Sequence, residues 1–435
     1  MTFKIGLLGL GTVGAGTAQI LLDRASRHPL LQEIEIHSIG VRSLSKPRPV
    51  QLADELLTTD LEAIVNDPAV DIVVEVLGGL EPARSLILKA IANGKHVVTA
   101  NKAVIARYGD EIYTAANSAG VYVMLEAAVG GGIPIIQPLK QYLGVNRIHA
   151  VTGIVNGTTN YILTRMQTEK GEFGDILADA QKLGYAEADP TADVDGLDAG
   201  DKIAILASLA FGGRIKLQDV YCEGIRKVSA ADIAYADKLG FVIKLLAIAK
   251  LDQPATDNSP EALQVRVSPT FVPKAHPLAS INGVYNAILV EGEPLGQVMF
   301  YGPGAGAGPT ASAVVADIMN IAAVLKSNNN APTLHPLLSC SHQHYCAIAP
   351  IEDIVTRFYA RFLTKDRPGV IGKLGTCFGN HNVSLESIVQ VGFQDHLAEI
   401  VVVTHDVREG NFRKALDEIG SLEALDSIPS ILRVL

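Results

Sequence analysis

The 435-residue chain predicts an α/β fold class, and three observations carry that prediction. An apolar run over 3–8 stops at Gly9-Leu10-Gly11-Thr12-Val13-Gly14 and passes into a helical pattern through Leu22. Further apolar runs over 71–77 and 121–126 alternate with helical stretches and end in glycine clusters. After Arg357 the pattern changes to strand, helix, strand, strand, helix, strand. The expected parts are a Rossmann-type nucleotide-binding domain over 1–132 and an α+β domain over 133–309. A return helix and linker over 310–345 and a ferredoxin-like domain over 346–435 complete the chain.

Composition narrows the class of function. Lys and Arg number 36 against 46 Asp and Glu, a formal charge of −10, which argues against a broad nucleic-acid surface. No run of about 18 apolar residues is expected to span a bilayer, so no membrane partner is expected. The N-terminus enters a strand pattern at once and leaves no room for a signal peptide. The four cysteines, Cys222, Cys340, Cys346 and Cys377, are too scattered for a disulfide scaffold. A cytoplasmic protein is therefore expected. The 40 glycines are clustered, and they read either as flexible linkers or as close backbone contacts with ligands.

The first element is strand, GxGxxG, helix, the order of a dinucleotide fingerprint. Gly9 permits the tight turn, Gly11 lets the backbone approach a pyrophosphate, and Gly14 lets the helix pack against the strand. Leu10, Thr12 and Val13 complete the loop, whose helix start turns free N–H groups to an anion. A tight turn without a ligand is the alternative. The second strand, over 33–41, is followed by Arg42 where an acidic residue would hold the ribose 2′-OH of NAD. Arg42, helped by Lys46 and Arg48, tilts the expectation toward NADP, with NAD possible. A solvated basic loop would look the same. Strands over 96–99 and 121–126 place Lys102 and Glu126 near carboxyl edges, where open parallel sheets bind ligands; each also reads as a surface charge.

The segment 180–202 reads AQKLGYAEADPTADVDGLDAGDK, with six acids (Glu187, Asp189, Asp193, Asp195, Asp198, Asp201) before an apolar run over 203–211. Asp198 and Lys202 share one helix face at a spacing of four. They read as a minor ion pair or, on a buried helix that desolvates the lysine, as a proton-transfer pair. The acids suit a substrate bearing an ammonium group. Farther on, Tyr301 to Pro309 holds Gly302, Gly304, Gly306 and Gly308 ahead of a helix over 310–325, either a linker or a backbone-lined ligand loop. The stretch 327–332 is rich in breakers and reads as a boundary. His342 and His344 beside Cys340 and Cys346 fit no standard zinc spacing.

Ala180, Gly184, Asp189, Pro190, Asp193, Gly196, Asp198 and Lys202 together resemble the signature of homoserine dehydrogenases, and the likeness extends over essentially the whole chain. The resemblance implies reversible NAD(P)H-dependent reduction of L-aspartate 4-semialdehyde to L-homoserine. It implies Lys202 as proton donor, Asp198 as the residue that orients substrate, and Glu187 and Gly184 at the substrate's amino end. Lys102 would lie near nicotinamide and substrate, and Gly302 against the cofactor. Glu126 with backbone oxygens of Val129, Gly131 and Ile133 would hold a monovalent cation, Na or K.

The C-terminal βαββαβ order, with Asp366-Arg367-Pro368-Gly369-Val370, resembles the ACT domain. That implies threonine as effector, with Gly369 and Asn380-His381-Asn382 near it, in a homodimer or homotetramer. A module that only dimerises is the alternative. Two rival functions remain. A thioester-forming aldehyde dehydrogenase needs an activated cysteine, and none opens a helix near the nucleotide unit. A non-catalytic amino-acid- and nucleotide-binding regulatory protein leaves Asp198 and Lys202 idle.

Overall fold

The computed structural model describes residues 2–253, 262–327, 334–340, 342 and 344–435. The boundary expected over 327–332 lies, apart from Ser327, outside the described residues. The chain divides into two units. One comprises Met1–Val151, Asp201–Gln218 and Tyr285–Cys346; the other comprises Thr152–Gly200, Asp219–Val284 and Ala347–Leu435.

The first unit is built on a parallel sheet of six strands: β1 (Phe3–Leu8), β2 (Ile34–Gly40), β3 (Leu57–Thr58), β4 (Ile72–Glu75), β5 (His96–Thr99) and β6 (Val123–Met124), in the order β3-β2-β1-β4-β5-β6. Helices cover a parallel sheet on both faces, so its strands carry nearly continuous apolar residues. All four residues of β4 are buried, as are Ile5, Leu7 and Leu8 of β1. The helices α1 (Thr12–Leu22), α2 (Leu61–Asn66), α3 (Ala83–Ala92) and α4 (Lys102–Ala119) alternate with the strands. Strand order reverses between β1 and β4, the position at which doubly wound sheets open a ligand crevice.

The helix Ala307–Ser327 packs back on α1, where a Cβ on Gly16 would stand 2.6 Å from the Ala307 carbonyl oxygen. Val314, Ile318 and Ile321 join Ala18 and Leu21 in one core. By length and composition alone this 21-residue helix could cross a bilayer, and half of its most apolar window is buried inside the protein. It also begins three residues earlier than expected, placing Gly308 and Pro309 in its first turn, where proline's missing N–H costs nothing.

In the second unit, Phe241–Gln253 and Ala262–Pro273 form a long antiparallel pair. The C-terminal elements follow as Val355–Lys365, Val370–Asn380, Leu385–Gln394, Leu397–Thr404, Glu409–Gly420 and Leu425–Val434, the expected βαββαβ order. Their core stacks Phe358 on Phe412 at 4.1 Å, with Phe378 beside them. The last strand also pairs in parallel with Ala262–Pro273 through Thr270 opposite Arg433 and Phe271 opposite Val434. The module therefore continues the neighbouring sheet within this unit.

Candidate active site

At the end of β1 the backbone turns at Gly9 (φ +108°), whose N–H donates to the Gly40 carbonyl at 3.0 Å. Only a residue without a Cβ adopts that conformation easily. Gly11 is the N-cap of α1 and offers no side-chain acceptor to the first-turn N–H groups. A Cβ on Gly11 would meet nothing within 4 Å, whereas one on Gly14 would stand 2.1 Å from the Gly9 carbonyl oxygen. The two glycines thus differ: Gly14 serves packing and Gly11 keeps a space open. Leu10 is half-buried, Thr12 is exposed and Val13 is half-buried.

Arg42 lies exposed just beyond β2. Arg48 is occupied differently from the expectation, donating to the Leu44 and Ser43 carbonyls at 2.9 and 2.6 Å. It braces the loop and leaves Arg42 and Lys46 as the outward cations.

Lys102 opens α4, and its setting was not foreseen. Asn101 caps that helix by accepting from Val104 N–H at 3.3 Å and donates to the Gly79 carbonyl at 2.7 Å. Glu75, fully buried at the end of β4, accepts from the Thr99 hydroxyl at 2.6 Å and from Leu77 N–H at 2.9 Å. A polar network at the carboxyl ends of β4 and β5 therefore holds the start of the helix that carries Lys102. The only signal in the sequence is a lone acid within an apolar run.

Glu126 lies in a buried turn, Glu126–Ala128, rather than in the strand expected over 121–126. Its Oε1 accepts from Ile135 and Ile136 N–H at 2.6 and 2.7 Å, and its Oε2 from Gln137 N–H at 2.8 Å. Burial pushes its carboxyl above the ordinary range, and these three N–H groups and Lys140 oppose that shift. Asp317, on the return helix, accepts the Glu126 N–H at 2.8 Å through Oδ2. Burial, with the Glu126 charge added, raises Asp317 well above its usual value.

The loop after Glu126 turns through Gly130 and Gly131, both at positive φ (+74° and +56°). A Cβ on Gly131 would stand 2.4 Å from the Gly304 oxygen. Among the described residues no backbone N–H donates to the carbonyls of Val129, Gly131 or Ile133. One strongly buried carboxylate with three such carbonyls fits a hard monovalent cation and not a zinc centre. No cluster of three or more His, Cys, Asp or Glu suited to a metal exists among the described residues. Gly302 ends the same region, on the strand Gly296–Pro303, with a Cβ position 3.3 Å from the Ile133 side chain.

In the second unit the acidic segment resolves into separate tasks. Asn156 donates through Nδ2 to Asp193 Oδ1 at 2.6 Å and to Asp198 Oδ2 at 2.8 Å. Its Oδ1 accepts from Thr159 N–H at 2.8 Å, capping the helix Gly157–Glu169. Asp195 pairs with Arg226. Asp189 accepts from Thr191 N–H at 3.1 Å. Glu187 is exposed beside Gly184 (φ +77°), and its loop is held by Gln181 donating to the Glu187 carbonyl at 2.9 Å. In the first unit, Asp201 binds Arg107 with both oxygens at 3.1 Å. The acids thus do not form one common cluster: several are spent on structure. The helix Leu197–Phe211 carries Asp198 and Lys202 one turn apart, both half-buried, ahead of buried Ile203, Leu206 and Ala207.

The four residues expected near an effector do not meet. Gly369 (φ +87°) caps the helix Val370–Asn380 and lines a cavity of about 500 Å³ with Asp366, Arg367 and Gln390. Asn380 and His381 lie at the helix's other end, roughly 16 Å away by helical rise. There they bind Glu418 at 2.9 and 2.8 Å, with Asn382 at φ +58°. Helix length is the reason: the eleven residues Val370–Asn380 stand between Gly369 and His381.

A doubly wound sheet with a glycine fingerprint, in a chain that also carries a helix with an acid and a lysine one turn apart, is the make-up of a nicotinamide-nucleotide oxidoreductase. Comparison with known proteins gives the particular kind. The family models described as homoserine dehydrogenase, and homoserine dehydrogenase NAD binding domain, match residues 134–319 and 9–126; that of the ACT domain matches 358–424. A homoserine dehydrogenase of Synechocystis is 70% identical over 435 residues, 100% of each chain. One of Bacillus subtilis is 40% identical, covering 99% of this chain and 98% of its own. The crystal structure of a homoserine dehydrogenase from Thiobacillus denitrificans superposes with a TM-score of 0.90 at 40% identity, covering 100% and 98% of the two chains. A hyperthermophilic archaeal homoserine dehydrogenase in complex with NADPH gives 0.63 at 29% identity, over 75% of this chain and 98% of its own. The chain belongs to the homoserine dehydrogenase family and carries a C-terminal ACT domain.

Proposed function

We propose that the protein reduces L-aspartate 4-semialdehyde reversibly to L-homoserine, in the branch leading to threonine, methionine and isoleucine. The observation that carries this reading is the placing of Asp198: Asn156 holds its carboxylate from outside the helix, and Lys202 follows one turn later on the same face. When bound, NADPH supplies the hydride. Lys202 Nζ gives a proton to the carbonyl oxygen as it gains charge and takes it back in the reverse direction. Asp198 orients the substrate, and Glu187 and the Gly184 backbone receive its ammonium end. Lys102, held at the start of α4, lies near nicotinamide and substrate.

Gly9, Leu10, Gly11, Thr12, Val13 and Gly14 form the pyrophosphate loop, and Gly302 borders the cofactor. Arg42 favours NADP by meeting a 2′-phosphate. Glu126, Val129, Gly131 and Ile133 would hold Na or K, which would organise the loop. Threonine is the proposed effector of the ACT domain, at the cavity lined by Gly369. The protein acts as a cytoplasmic homodimer or homotetramer, with domains over 1–132, 133–309, 310–345 and 346–435.

The test follows NADPH absorbance with aspartate semialdehyde for the wild type and Lys202→Ala. Robust wild-type turnover and a loss of at least about 100-fold in the variant are expected. Equal rates in the two proteins would sink the role of Lys202. Threonine titrated into the same assay tests the ACT domain.

A further inference from the structure

The first unit contains a cavity of about 470 Å³ that the proposed reaction leaves unused, and every residue lining it belongs to that unit. Its walls are the middle of α4, the second half of the helix Leu197–Phe211, the stretch 214–218, and Cys340, His342 and Tyr345. The apolar surface is mainly aliphatic, with Ile105, Leu125, Ile205, Leu209 and Ile215 beside the Tyr113 ring. The charged lining is unbalanced, with Arg107, Arg214 and Lys216 against the single carboxylate of Asp110.

Two of those cations have no carboxylate partner among the described residues. Arg107 is held by Asp201 at 3.1 Å. Arg214, half-buried, reaches the Thr114 hydroxyl only at 3.4 Å. Lys216 lies over the Tyr345 ring, 5.2 Å from its centre, and Asp110 accepts from that tyrosine's hydroxyl at 3.3 Å. The positive potential is felt nearby: after burial, the charges of Lys140, His344 and Arg214 hold His342 below its ordinary value. Half-buried Arg214, with no carboxylate partner among the described residues, and exposed Lys216 give this aliphatic cavity a positive rim suited to an anion.

Gly109 is an independent indication. It lies inside the 18-residue helix α4, where glycine is less favourable than alanine. Packing does not require it, since its Cβ position would stand 3.7 and 3.8 Å from Tyr113 and Ile105, ordinary contact distances. The missing side chain enlarges the cavity.

We propose that this cavity binds a small aliphatic carboxylate, its anionic end between Arg214 and Lys216 and its chain against Ile105, Ile205 and Leu209. The test is isothermal titration of the full-length protein with octanoate and, separately, with octylamine. Octanoate is expected to bind with a Kd of about 1 mM or tighter, and octylamine not to bind. Arg214→Gln with Lys216→Gln is expected to weaken octanoate at least about tenfold. Gly109→Leu, which fills the space and keeps the charges, is expected to weaken it as well, and NADPH affinity checks the fold of both variants. Octanoate bound equally by the charge variant, octylamine bound as well as octanoate, or no octanoate binding at about 10 mM would each overturn the proposal.

Discussion

The glycine loop of the first unit and the acidic segment of the second are shaped by different physical means. In the loop the backbone does the shaping: Gly9 turns at positive φ, Gly14 admits a carbonyl oxygen where a Cβ would stand, and no side chain caps α1. In the acidic segment side chains do it, with Asn156 joining two carboxylates 37 and 42 residues away. A backbone-shaped site is local in sequence and shows as glycine spacing. A side-chain-shaped site depends on partners that only folding brings together.

Four experiments would break or sharpen that contrast. The largest effect is expected from Gly14→Ala, because a methyl 2.1 Å from the Gly9 oxygen must displace backbone. A destabilisation of about 1–3 kcal/mol in urea, with loss of NADPH binding, is the expected outcome. An alanine variant with wild-type stability would remove the packing role from that glycine.

Next comes a pH effect in the second unit. Lys244 is fully buried, and its ammonium donates to the Ile281 carbonyl and to Asn160 and Asn282 at 2.5, 3.3 and 3.0 Å. Burial lowers its pKa from 10.5 to about 8. Between those values the unfolded chain binds the extra proton, so this group's stabilising contribution is complete above 10.5 and is lost as pH falls to about 8. Denaturation at pH 8 and pH 10.5 should show Lys244→Met losing this rise relative to wild type; parallel profiles would refute it.

A smaller effect is expected for Asn156→Ala, about tenfold in kcat with NADPH affinity unchanged, since Asp198 loses its outside holder while α1 is untouched. Unchanged kcat would remove the positioning role from Asn156. The smallest structural effect belongs to Gly11→Ala. Its Cβ meets nothing within 4 Å, so stability should stay within about 0.5 kcal/mol while the NADPH Kd rises several-fold. Equal Kd values would mean the space above Gly11 is not where a pyrophosphate approaches.

The alternating strands and helices of the first unit and the βαββαβ module were legible because hydrophobic periodicity and glycine placement are local signals. Several features were not. The helix Ala307–Ser327 was expected to start later, because glycine and proline at its start read as loop and only contact with α1 shows them inside the first turn. Glu126 was read in a strand, yet it accepts three N–H bonds from residues 9 to 11 positions onward. The effector residues were grouped because the sequence does not display that one helix holds Gly369 and His381 apart.

By itself the sequence determined the order of elements, the nucleotide loop and the helix presenting Asp198 and Lys202, since each depends on residues within a few turns of one another. Tertiary structure alone decided which polar groups are occupied. It assigned Asn156 to two aspartates, Arg48 to its own loop, Asp201 to Arg107 and Asp317 to the Glu126 backbone. The reason is physical: a buried polar group must find a partner, and that partner is chosen by proximity in space, which a linear chain does not contain until it folds.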